Sequence, residues 1–193
     1  MSIEEFKSIE REFLRAPLKS NVLYVDSEYV LRASTINISE GGIFLQNLPH
    51  LPKSAEQWMA VLIPQIPKLS SLSIRELKLL YFDELPSQVI KVNTKIVRSA
   101  ESKSPIEQIF VKTMACEMLF PSMKVRKCIS HYVDNYIKNL VHLLSLFESL
   151  NENNEDKVLE VKTISAILGY DSNVKISHLR AKVLHDYQSI GQF

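Results

Sequence analysis

Hydrophobic positions along this chain change their period more than once, and each change predicts a new element. Ile3, Phe6, Ile9 and Phe13 recur every three or four residues, and Ser2 with Glu5 has capping-box spacing, so residues 2–13 read as a short helix. Pro17 must end it, because a proline drives the preceding residue out of the α region. From about residue 20 the pattern becomes β-branched and aromatic. Residues 21–25 and 29–36 are strands, separated by Asp26-Ser27-Glu28 as a hairpin turn would separate them. Further strands are expected over 43–46, 57–63, 88–97 and 108–118. About six strands with short turns suggest a small antiparallel barrel. Residues 64–87 break the scheme. Pro64 and Pro67 do not fit a central strand, while Ile74, Leu77, Leu79, Leu80 and Phe82 are too apolar for a plain loop, so an insertion with a short helix is expected.

After Pro121 the helical period returns and runs to about residue 150. Ile129, Val133, Tyr136, Leu140, Leu143, Phe147 and Leu150 form a heptad seam, and a helix over 122–150 would be roughly 40 Å long. Val125, Tyr132, Val141 and Leu144 make a second apolar stripe. One stripe can pack on the barrel and the other on a partner helix, either within the monomer or in a homo-oligomer formed through 122–150. A polar linker over 151–156 leads to helices at 157–168 and 174–188, with a turn at Gly169-Tyr170-Asp171. The expected class is mainly β with α: a six-stranded antiparallel β-barrel, a long C-terminal helix and a helical tail. Its parts are an N-terminal helix or arm (1–18), the barrel (19–121) with its insertion (64–87), the long helix (122–150) and the tail (151–193).

The chain has 193 residues and 46% hydrophobic content, enough for a real core. A net charge of +1 gives no bulk attraction to nucleic acid or to a membrane, and neither partner is expected. Cys116 and Cys128 imply no disulfide framework and read as buried, reduced thiols. The N-terminus is charged and has no signal peptide, and no apolar run approaches the roughly 20 residues of a membrane helix, so a cytoplasmic location is expected. The tail helices share the outline of a helix-turn-helix. Lys175, Arg180, Lys182 and His185 are too few to make them a DNA reader, which leaves a DNA-binding regulator as the third-ranked reading. His50, His131, His142, His178 and His185 show no metal spacing, and no nucleophile–base arrangement is readable. No metal, no cofactor and no catalysis are expected; the chain does not read as an enzyme.

Glycine is used sparingly. Of four in the chain, Gly41 and Gly42 stand side by side and the other two fall in the tail. They close the segment Asn37-Ile38-Ser39-Glu40-Gly41-Gly42. If that segment is extended, Asn37 and Ser39 share a face, and the glycines provide a tight turn with room for a ring or phosphate beside it. Upstream, Arg11 and Arg15 are four apart, which puts two guanidinium forks on one face of a helix or around a common ligand in a loop. Each fork grips phosphate bidentately and also matches the O6 and N7 edge of guanine. The set suits a compact ligand with both phosphates and guanine bases. Lys19 and Arg32 lie near it in sequence and would add positive field, or simply sit at the surface.

Arg11-Glu-Phe-Leu-Arg15 followed by Asn37-Ile-Ser39-Glu-Gly-Gly42 resembles the two-part signature of the PilZ domain family, R-x-x-x-R and then D/N-x-S-x-x-G. Arg15-Ala-Pro-Leu also resembles that family's approach to its first strand. The resemblance covers about residues 10–120 and implies a six-stranded barrel that binds the bacterial second messenger cyclic di-GMP. By motif position it implies that Arg11 and Arg15 hold phosphate and guanine, that Asn37 and Ser39 contact a guanine, and that Gly42, beside Gly41, belongs to the same turn. The implied function is a non-enzymatic effector that changes conformation on binding cyclic di-GMP and signals to an unidentified protein partner in motility, secretion or biofilm formation. The insertion and tail support an alternative, a PilZ-like adaptor acting through protein contacts without nucleotide.

Overall fold

Alternation of buried and exposed residues along the strands closes a sheet around one core. A computed structural model of the chain describes residues 12–81, 84–103, 110–151 and 154–190. The expected helix over 2–13 and the arginine at position 11 lie outside the described residues, apart from Glu12 and Phe13, which form a bend. The strands are β1 (Ala16–Pro17), β2 (Asn21–Asp26), β3 (Tyr29–Ile38), β4 (Gly42–Gln46), β5 (Glu56–Pro64), β6 (Ser87–Lys103) and β7 (Phe110–Leu119). In β2 and β5 every second side chain is buried, the pattern of a sheet with one wet face. Val22, Tyr24, Met59, Val61, Ile63, Ile90, Val92, Met114 and Met118 fill the interior.

Strand order β3-β2-β5-β6-β7-β4 closes on itself through β3–β4 pairing, so six antiparallel strands form the expected barrel. The short β1 adds a seventh strand against the end of β3, with Ala16 opposite Ile38 and Pro17 opposite Asn37. It continues the path of β2 along β3 after a break at residues 18–20. Thr35, 1% exposed, fills that break. Its hydroxyl donates to the carbonyls of Leu18 and Ser20 and accepts from the Ser20 amide.

The interruption between β5 and β6 holds a 3₁₀ turn (Leu69–Ser71) and the short helix α1 (Ile74–Lys78), capped by the reciprocal Ser73–Glu76 box. The long helix α2 (Met123–Glu148) follows, then α3 (Glu155–Ile167) and α4 (Ile176–Ser189). α3 starts two residues earlier than its expected boundary because Asn154 caps it, accepting from the Lys157 amide. Gly169, at φ 87, ends it in the left-handed conformation.

The heptad seam is filled from within the chain. Ile129, Val133, Tyr136, Leu140, Leu143 and Phe147 are all buried, and α2 contacts α3, α4, the 3₁₀ turn and strands β1, β5 and β6. Within the chain, α3 and α4 fold back onto α2, which is the intramolecular one of the two expected ways to cover the seam. From the second stripe Tyr132 is also buried, whereas Val141 stays 45% exposed. Both cysteines are free; Cys116 is buried as expected, but Cys128 is only half-buried. Among the described residues no helix is long and apolar enough to cross a membrane, and no cluster of histidine, cysteine and acidic residues could hold a metal ion.

Candidate functional site

The site begins with strand pairing. Because Ala16 opposes Ile38, the next residue back, Arg15, comes level with the turn that follows β3. That turn is closed by Ser39 and Gly42, which exchange main-chain hydrogen bonds at 2.8 and 3.3 Å around Glu40 and Gly41. The Ser39 hydroxyl reinforces it, accepting from the Gly42 amide at 3.2 Å.

The glycines matter here for closeness rather than for φ. Neither is left-handed. A Cβ on Gly42 would lie 2.5 Å from the Cys116 carbonyl oxygen of β7. One on Gly41 would lie 2.7 Å from the ring of Phe13. A side chain at Gly42 would therefore strike β7 backbone, and one at Gly41 an aromatic ring of the N-terminal arm.

A cavity of about 440 Å³ opens beside this turn, and Arg15, Asn37, Ser39, Gly41 and Gly42 all line it. Asn37 and Ser39 thus reach one space from alternate positions, with Ile38 between them buried in the core. Ser39, 4% exposed, is mainly a builder of the turn. The Asn37 amide makes no side-chain hydrogen bond among the described residues, and its residue pairs with Pro17 on one side and Phe44 on the other. Lys19 and Arg32 do not line the cavity. Lys19 Nζ donates to the Gly169 carbonyl, and the Arg32 fork holds Asn21 Oδ1 at 2.7 and 3.0 Å.

Sequence reasoning missed part of the lining. Glu12, Phe13, Phe44, Val97, Arg98 and Glu117 also face the cavity. The described lining therefore carries two guanidiniums and two carboxylates. For Arg98 a signal existed. Ile90, Val92 and Thr94 are buried at every second position of β6, and strict continuation would turn Arg98 inward, an improbable place for a lone guanidinium. A bulge is the usual resolution of such a conflict.

No family model matches the sequence, and no curated protein matches it. Solved structures do. The inhibitor of motility MotI/DgrA of Bacillus subtilis is similar at 16% identity and a TM-score of 0.45, over 64% of this chain and 49% of that one. The PilZ domain of YcgR from Escherichia coli, solved with c-di-GMP, is similar at 14% identity and a TM-score of 0.43, over 64% and 88%. K. pneumonia MrkH in complex with c-di-GMP is similar at 11% identity and a TM-score of 0.46, over 68% and 54%. The matched region spans about half the length of MotI. The chain's own architecture is a closed six-stranded antiparallel barrel, mainly β with α.

Proposed function

We propose that this chain is a non-enzymatic receptor for cyclic di-GMP. One observation carries the reading. Two sequence segments that resemble halves of one signature meet at one cavity, where Arg15 stands beside the Asn37–Gly42 turn. Arg15, with Arg11 from the arm, supplies charge-assisted donors for the phosphates and a guanine edge. Asn37 presents its amide to a base, and Ser39 with Gly41 and Gly42 holds the turn at the right depth.

Binding changes what the chain offers a partner. The segment after Arg15 is tied to α2 by the Tyr132 hydroxyl, which donates to the Pro17 carbonyl, and to the α3–α4 turn by Lys19. A ligand that fixes the arm biases these contacts and so the helical face. That face is the surface for a cytoplasmic partner in motility, secretion or biofilm formation.

Calorimetric titration with cyclic di-GMP tests the reading, and no heat at micromolar protein and ligand would sink it. Arg15→Ala removes a contact worth about 1.5–3 kcal/mol, a fall of roughly tenfold or more in affinity. An adaptor working without nucleotide is the second reading, favoured by Leu79 and Tyr81, which stand 77% and 60% exposed on the insertion. It requires that an Arg11→Ala, Arg15→Ala double variant still capture its partner normally.

A further inference from the structure

β6 carries a bulge at the cavity. Its pairing with β7 runs regularly to Ile96 opposite Cys116, then shifts, and Arg98 opposes Ala115 with Val97 as the extra residue. Bulges re-aim side chains beside functional sites. This one sets the Arg98 guanidinium carbon 6.0 Å from the centre of the Phe44 ring, and both residues line the cavity that holds Arg15 and Asn37. Phe44 is the cross-strand partner of Asn37 and lies two residues beyond Gly42. Among the described residues no carboxylate lies within ion-pair distance of Arg98.

We infer that Arg98, held over Phe44, reads a guanine of the ligand and sets the site's preference for guanine over adenine. This rests on the cyclic di-GMP reading and deepens it. A cyclic dinucleotide brings two bases, and the Asn37–Gly42 turn is a place for one. The Arg98 fork suits the other. Guanine offers O6 and N7, both acceptors, to a guanidinium; adenine offers one acceptor and an amino donor, which the fork cannot satisfy. Phe44 is a positioning residue. Its ring attracts the guanidinium electrostatically and limits the rotamers that a long, exposed side chain would otherwise sample.

Wild type, Arg98→Ala, Arg98→Lys and Phe44→Leu are titrated by calorimetry with cyclic di-GMP and, separately, with cyclic di-AMP. Arg98→Ala is expected to lose roughly tenfold or more in affinity for cyclic di-GMP and little for cyclic di-AMP, so the preference ratio falls. Arg98→Lys fails to restore the ratio, because an ammonium lacks the fork. Phe44→Leu moves the ratio the same way by less, with its unfolding midpoint within experimental error of wild type. If Arg98→Ala keeps both affinity and ratio while Arg15→Ala loses binding, the role of Arg98 is overturned and the receptor reading stands. If wild type does not bind cyclic di-GMP, both fall.

Discussion

Tyr132 in α2 donates its hydroxyl hydrogen to the carbonyl of Pro17 at 2.6 Å, joining the long helix to the short strand that Arg15 immediately precedes. Burial, with Tyr136 adding to it, pushes the Tyr132 phenol well above its ordinary range, so it stays a donor at any pH the protein meets. Tyr132→Phe removes this one bond with little change in shape. We expect a loss of about 1 kcal/mol in stability, read from the urea midpoint. If the bond also fixes Arg15, affinity for cyclic di-GMP falls in the same variant. Lower stability with unchanged affinity would show that the bond is structural only.

The two glycines should respond differently to the same methyl group. In Gly42→Ala the new Cβ meets the Cys116 carbonyl oxygen, which is backbone and part of the β4–β7 ladder. It cannot yield without parting strands, so a cost of about 1–3 kcal/mol is expected. In Gly41→Ala the Cβ meets the Phe13 ring, a side chain rather than strand backbone. Its unfolding midpoint should shift by less than about 0.5 kcal/mol in equivalent terms. Its ligand affinity should drop, because displacing Phe13 also displaces Arg15. Equal destabilisation of the two variants would contradict this division.

Asn139 is 1% exposed and bridges α2 to the insertion. It accepts from the Leu69 amide and donates to the Pro67 carbonyl, both at 2.8 Å. One turn earlier Asn135 donates to the Ile66 carbonyl at 3.0 Å. Asn139→Leu keeps the volume but leaves a buried amide and a carbonyl without partners. Thermal or urea unfolding should report a loss of about 2–4 kcal/mol. Asn135→Ala, at a more open position, should cost about 1 kcal/mol. A near-neutral Asn139→Leu would mean that the insertion rearranges to satisfy its own backbone.

The barrel was legible because its strands alternate, and alternation is local. Every expected strand is present, with ends shifted by a few residues; positions 108 and 109 of the last one lie outside the described residues. The insertion helix was expected without its start, although Ser73 with Glu76 has the capping-box spacing. The heptad seam was equally plain, yet a seam says only that something covers it. Whether a second copy or the chain's own α3 and α4 does so is decided by the long-range return of the tail. At the site the motif positions were readable one by one. The Arg98 placement was readable only as a conflict with strict alternation, because the bulge that resolves it lies in a strand far along the chain. The Phe13 ring on Gly41 was hidden for a similar reason: a missing side chain does not say what fills its place.

Asp26 sets the acid response. It is 3% exposed at the end of β2, with His50 Nε2 2.9 Å from one carboxylate oxygen and the Lys53 amide 3.3 Å from the other. Burial favours its protonated form, but hydrogen bonds from His50, the Lys53 and Ser54 amides and Gln57 outweigh that, and its carboxyl is held below the ordinary 3.8. In the unfolded chain it returns to that ordinary value. Between the two values the unfolded state binds a proton that the native state does not, so stability rises with pH there. The contribution is complete well above pH 3.8 and is lost as pH falls through the lower native value. Asp26→Asn removes this linkage. The variant should be less stable than wild type near neutrality, and the gap should narrow as pH drops below about 4. Urea midpoints of both proteins, taken in steps from about pH 6 to pH 2, measure it. A gap that stays constant through that range would mean Asp26 titrates alike folded and unfolded, and that its hydrogen bonds do not hold the charge.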